Sequence, residues 1–160
     1  MERPDPGKNI QDSVEYAKHY VASHMNSSDE FTYRLGYADL LLIDSIFHDS
    51  VMLDVGCGTG GYYALAHNYG RIDGMNFSSS MIDVANKLKT ELNLEDVEFR
   101  CETFDTFMPS RQYDVVRMPG IYGWYVGWHG RMHVLDKVRG LLIAGGVAVL
   151  SFVDADTPVK

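Results

Sequence analysis

Short apolar runs of strand length punctuate the centre of this chain, and stretches with helical spacing separate them. Residues 51–55, Val-Met-Leu-Asp-Val, form such a run and end in a cluster of glycines, as a buried strand would. Residues 71–76, 97–101, 113–118 and 147–152 read as four more strands. Between the second and third, Met81, Ala85, Leu88 and Leu92 recur at helical spacing, and Ser80-Met81-Ile82-Asp83 resembles a capping box opening that helix. Helix-like sequence follows the first strand as far as Tyr69, with Gly70 suited to the left-handed position just past a helix. Val134, Leu135, Val138, Leu141 and Leu142 predict a helix before the last strand, with a turn at Gly145-Gly146. Ahead of the first strand, Leu35, Ala38, Leu42 and Ile46 predict one face of a helix over 31–47. Tyr16, Ala17, Tyr20 and Val21 predict another over 13–24, and the polar break Asn26-Ser27-Ser28-Asp29 fits a cap.

Strands alternating with helices imply a doubly wound α/β domain with a mostly parallel sheet, preceded by a helical segment. The expected division is a tail and helical cap at 1–48 and a core at 49–160, together one domain. A length of 160 residues supports a single sizeable core. Fourteen Lys plus Arg against twenty-two Asp plus Glu give a formal charge of −8. That balance opposes a nucleic-acid surface built on phosphate neutralisation. Cys57 and Cys101 provide neither a disulfide framework nor metal-ligand spacing. A polar start and no apolar stretch of membrane-spanning length predict a cytoplasmic protein without membrane association.

The chemically informative segment is Leu53-Asp54-Val55-Gly56-Cys57-Gly58-Thr59-Gly60-Gly61. A strand feeding a glycine-rich turn lets the backbone approach a ligand closely, because no Cβ intervenes. Glycines 56, 58 and 61 also satisfy the dinucleotide fingerprint, which keeps an NAD-dependent oxidoreductase in view. Asp54, two residues before the first glycine, suits an ammonium better than a pyrophosphate.

The whole string resembles motif I of class I S-adenosylmethionine-dependent methyltransferases. Gly74-Met75-Asn76-Phe77-Ser78-Ser79-Ser80-Met81-Ile82 is similar to that family's second-strand motif. Leu141-Leu142-Ile143-Ala144-Gly145-Gly146-Val147 is similar to its segment before strand five. The similarity covers roughly residues 30–153. It implies a Rossmann-like core with S-adenosyl-L-methionine across the carboxyl ends of strands one and two. Gly56, Cys57, Gly58 and Gly60 would face its methionine and ribose parts, and Asp54 its amino group. Asn76 stands where the family usually has an acid for the ribose hydroxyls, and one neutral acceptor should bind them more weakly. Phe77 and Met81 would line the adenine, or serve as core. Glu102 or Thr103, followed by Phe104, would meet its amino group, and Met118 the methionine end through the backbone.

Methyl transfer needs alignment and exclusion of water more than a shared catalytic side chain. The resemblance implies a small-molecule acceptor, lodged near residues 121–129, which hold both tryptophans. Those aromatics suit an amine by cation–π attraction, or a hydrophobic lid. Tyr122 and His129 are the candidate proton acceptors or orienters. His129, His133 and Asp136 lack a completing ligand, so no metal site is expected. Tyr16, Tyr20 and Arg34 belong to the segment that closes over the cofactor in similar proteins. The chain stops at Lys160, where the family sheet usually continues with two more strands. The expectation is therefore an exposed edge at strand five, open to homo-oligomer pairing, or a cofactor-binding module dependent on a partner.

Overall fold

Five apolar runs become the five strands of one parallel sheet, in the order β3-β2-β1-β4-β5. The computed structural model describes residues 38–60, 63, 68–120 and 127–151. The helix expected over 13–24, the residues Tyr16, Tyr20 and Arg34, and Tyr122 lie outside them. The elements in chain order are α1 (Ala38–Ile46), β1 (Val51–Val55), β2 (Arg71–Asn76), α2 (Ser79–Glu91), β3 (Val97–Cys101), β4 (Tyr113–Pro119), α3 (Gly127–Leu141) and β5 (Leu142–Ser151).

Strand alternation splits the core into two layers. On one face Met52, Ile72 and Val115 pack with Leu40 and Ile43 of α1 and Ile82 of α2. On the other, Leu53, Val55, Met75, Val116 and Met118 pack with Val134, Val138 and Leu141 of α3. Helices therefore cover both faces, and each fully buried Leu, Val or Met contributes roughly 1.5–3 kcal/mol. The order reverses between β1 and β4, which places the topological switch point at the carboxyl ends of these two strands.

Several boundaries depart from the apolar pattern. Leu42 and Ile46 of α1 are 61% and 60% exposed, whereas Leu40, Ile43 and Asp44 are buried. The run Leu40-Leu41-Leu42-Ile43 is apolar all round, so spacing alone selects no face, and the polar partners of the helix decide it. Asp44 accepts from the backbone N–H of Asn68 at 2.8 Å and from its Nδ2 at 2.9 Å, while that Nδ2 also donates to the Asp44 carbonyl at 3.0 Å.

The N-cap of α2 is Ser78, whose hydroxyl accepts from the N–H of Met81, so the helix opens ahead of the Ser80 box. Its inner face is Met81, Ile82 and Ala85, and Leu92 is exposed. Gly70 does not take a left-handed conformation. A Cβ there would meet the Asp49 carbonyl oxygen at 2.6 Å, and Asp49 itself has the positive φ, 55°. β5 begins at Leu142, immediately after α3, and a register shift opposite Tyr113 and Val115 absorbs the Gly145-Gly146 turn. β5 forms one edge of the described sheet, with Ile143 and Val147 exposed. No helix among the described residues is long and apolar enough to cross a membrane.

Asp44→Ala should lower the free energy of unfolding by about 2 kcal/mol, since it leaves the Asn68 donors without their carboxylate. Leu42→Ala should change it by less than about 0.5 kcal/mol. Urea denaturation of the two variants checks both, and the reverse ranking would return Leu42 to the core.

Candidate active site

The carboxyl ends of β1, β2 and β3 bring together most of the residues singled out in the sequence. β1 runs into Gly56, Gly58 and Gly60, whose φ values are 83°, 56° and 61°. Three left-handed positions within five residues exclude ordinary side chains and turn the loop sharply. The N–H groups of Gly56 and Cys57 both donate to the Met75 carbonyl, at 2.8 and 3.0 Å, which pins the loop to the end of β2. Asn76 and Phe77 follow directly. Asn76 pairs with Cys101 across the strands, and its carbonyl accepts the N–H of Glu102 at 3.0 Å. Asp54, the glycines, Cys57, Asn76, Phe77 and Glu102 thus share one edge.

The loop is also shaped from beneath. A Cβ at Gly60 would run into the ring of Phe99, and one at Gly74 would lie 2.9 Å from that ring and 3.1 Å from the Cys57 Cβ. Phe99 in turn stacks on Tyr63, with ring centroids 5.9 Å apart. Gly60 therefore serves close packing, as the last glycine of such loops does. Cys57 is wholly buried. Burial pushes its thiol well up from the usual value, and the charge of Asp54 adds to this more than Arg117 offsets it.

Asp54 is fully buried, and its Oδ2 accepts from the Tyr63 hydroxyl at 2.6 Å and from Arg117 Nη1 at 2.9 Å. Arg117, its neighbour on β4, is 1% exposed and also grips Asp39 of α1 with both Nε and Nη2, at 2.8 and 3.0 Å. A guanidinium fork on a carboxylate is the strong form of ion pair. Tyr69 lies near enough for its hydroxyl to be pushed above its usual range, by burial first and then by Asp44 and Asp54.

Other candidates fall less simply. Asn76 Oδ1 accepts the N–H of Ser78 at 2.9 Å and so also closes a turn. Asp73, one strand position from Gly74, is buried and bonded to Arg71 and Tyr113, away from the edge. Met81 is buried, Phe77 half-buried. Thr103 is exposed, and its hydroxyl is shared with Thr106 at 2.8 Å. Phe104 is buried with Met75 and Met118 in the layer beneath α3. Lys137 of α3 stands 5.1 Å over the Phe104 ring and donates to the carbonyls of Phe104 and Asp105, at 2.5 and 2.9 Å. Met118 is wholly buried, and it pairs with Leu150 across β4 and β5. His129 and His133 are exposed on α3, and among the described residues no His, Cys, Asp or Glu cluster is arranged for a metal.

The sequence pattern of a family described as a methyltransferase domain matches residues 52–146, more than half of the chain. The chain belongs to this methyltransferase-domain family. Its fold is that of solved methyltransferase structures. A complex of DhpI with S-adenosylhomocysteine is 22% identical with a TM-score of 0.62, covering 88% of this chain and 67% of that one. The N-methyltransferase NodS from Bradyrhizobium japonicum, also with S-adenosylhomocysteine, is 14% identical with a TM-score of 0.62, covering 84% and 71%. A methyltransferase from Thiobacillus denitrificans is 20% identical with a TM-score of 0.63, covering 94% and 56%. This chain thus spans between about half and seven-tenths of the length of these three proteins. Comparison by sequence with curated proteins finds no match.

Sequence reasoning missed Arg117, Asp39, Tyr63 and Phe99. The signal for Arg117 was present: a charge inside Val115-Val116-Arg117-Met118 demands a buried partner. Gly60→Ala should destabilise the domain by about 3 kcal/mol, through left-handed strain and collision with Phe99. Adding Phe99→Leu should recover part of that loss. Thermal denaturation of single and double variants reads the coupling, and simple additivity would sever Gly60 from Phe99.

Proposed function

We propose that this methyltransferase domain binds S-adenosylmethionine across the carboxyl ends of β1 and β2 and methylates a small-molecule acceptor by in-line displacement. The carrying observation is the triple left-handed glycine loop, pinned to β2 beside Asn76 and opening at the switch point. A loop of that conformation carries no Cβ at three of its five positions, which would let an extended ligand of mixed polarity approach the backbone closely.

When bound, the donor supplies an electrophilic methyl group on a sulfonium. The chain's part is to place and enclose it. Gly56 and Gly58 offer close backbone approach, Gly60 fixes the loop against Phe99, and Asp54 sets negative charge beneath the methionine end. Asn76 would meet the ribose hydroxyls through its side-chain amide, whose oxygen also accepts from the Ser78 N–H. Phe77 and Met81 flank the adenine. Glu102, half-buried and tied through its N–H to Asn76, suits the adenine amino group better than Thr103, whose hydroxyl is engaged. The Met118 carbonyl stands on the β4 side. His129 is exposed on α3 and contributes no enclosed base.

One observation favours a second reading, a cofactor-binding module with little turnover. The neutral amide of Asn76, whose oxygen is shared with the Ser78 N–H, weakens the expected grip on the ribose.

Calorimetric titration should show binding of S-adenosylmethionine and S-adenosylhomocysteine and none of NAD. Binding of NAD alone would replace the proposal with the oxidoreductase reading. Asn76→Asp should tighten S-adenosylmethionine binding about tenfold, the worth of one charge-assisted hydrogen bond. An unchanged affinity would remove Asn76 from the ribose site. Methyl transfer to any small acceptor would dismiss the non-catalytic reading.

A further inference from the structure

The sheet face that packs with α3 turns from apolar to charged on β2 and β3. Asp73 pairs with Leu53 of that face on one side and with Glu98 on the other. Arg71 and Arg100 stand two residues from Asp73 and Glu98, so strand alternation puts them on the same face. Arg71 Nε donates to Asp73 Oδ1 at 2.7 Å, and its Nη2 donates to Glu98 Oε2. Arg100 Nη2 donates to Glu98 Oε1 at 3.1 Å. The Tyr113 hydroxyl donates to Asp73 Oδ2 at 3.0 Å, and Arg111 Nε lies 3.9 Å from the same oxygen.

Three guanidiniums thus share two carboxylates, and their donors outnumber the acceptors. A guanidinium is a planar fork of N–H groups on three nitrogens. Arg71 engages two of these nitrogens, Arg100 one, and Arg111 none within hydrogen-bond distance. Arg100 Nε is buried with no acceptor. Among the described residues these five charged side chains bond only to one another and to Tyr113. Burial first, and then the Asp73 carboxylate, hold Tyr113 neutral, so it remains a donor; Arg100 and Arg111 both lie near enough to oppose this. The side chains of Arg71, Arg100 and Arg111 are 30%, 34% and 41% exposed, which leaves their outer nitrogens open to a ligand from solvent.

We propose that Arg71, Arg100 and Arg111 form a binding site for a phosphate-class oxyanion on this face of the sheet. Arginine forks match paired oxygens on one group, and a tetrahedral phosphate offers such pairs in several directions at once. A planar carboxylate offers one pair. Asp73 and Glu98 orient the forks of Arg71 and Arg100, and the loosely held Arg111 is the arm left to close on the ligand. The two carboxylates also oppose an anion, so the expected affinity for inorganic phosphate is about millimolar. Recognition here is by short-range fork geometry, which a chain of formal charge −8 can still provide. The same chemistry suits free phosphate and the phosphate monoester of a small molecule. The inference stands apart from methyl transfer, since Arg71 opens β2 at the end opposite Asn76.

The test titrates inorganic phosphate, glycerol 3-phosphate and succinate into the chain at constant ionic strength and follows the arginine Nε–H resonances by NMR. Both phosphates should shift the Arg100 and Arg111 resonances to saturation, and succinate should bind about fivefold more weakly. Tighter binding of the monoester would name a small-molecule phosphate as the source, and the reverse order the free ion. Arg111→Gln removes a half-exposed side chain without a hydrogen bond, so its melting temperature should match the wild type. It should weaken phosphate binding about tenfold. Lys87→Gln removes the same charge from the exposed side of α2, which packs on the opposite face, and should leave binding unchanged. Four results would each overturn the inference: no shift in the wild-type chain, a drift that never saturates, succinate equal to phosphate, or equal losses in the two variants. An Arg111→Gln affinity equal to the wild type would do the same.

Discussion

A buried guanidinium joins the first helix of the described domain to its glycine loop. Arg117 sits in the middle of the sheet, between a carboxylate from the helix above and one from the strand beside it. Burying such a group is costly unless every partner is in place, and removing one partner of a buried pair typically costs about 3–5 kcal/mol. The face that α1 presents, the orientation of the Asp54 carboxylate and the closeness of Tyr63 all answer to that requirement. Polar matching, rather than apolar periodicity, sets how this layer is assembled.

Strand positions were legible because buried parallel strands are short apolar runs bounded by turns. β2 and β3 lie where the pattern places them, and β4 runs one residue further. The glycine loop was legible too, since three alternating glycines have little other physical use. The face of α1 was not, because a helix with four consecutive apolar residues has no unique inner side. The start of α2 was displaced because Ser78, Ser79 and Ser80 are all competent caps, and only Asn76, turning the chain onto the Ser78 N–H, chooses among them. The strand begun at Leu142 escaped notice because its pairing to Tyr113 precedes a register shift.

Within the site, the sequence could name the edge but not the partners beneath it. Asp54 reads as a ligand-facing acid, while its engagement with Tyr63 and Arg117 depends on residues 9 and 63 positions away. Gly60 reads as a contact with a ligand, while the structure shows that an aromatic ring from β3 occupies the space its side chain would need. Long-range complementarity of this kind leaves only a faint trace in one chain, such as a charge in a strand or a glycine opposite a phenylalanine.

The anchoring of the segment after β3 has a different consequence. Lys137 holds it through the main-chain oxygens of Phe104 and Asp105, and every amino acid carries such an oxygen. The path of the backbone there is thus independent of what stands at the exposed position 105. Sequence drift can repaint the outer surface of this rim while its outline stays fixed, giving related proteins room to diversify beside an unchanged frame.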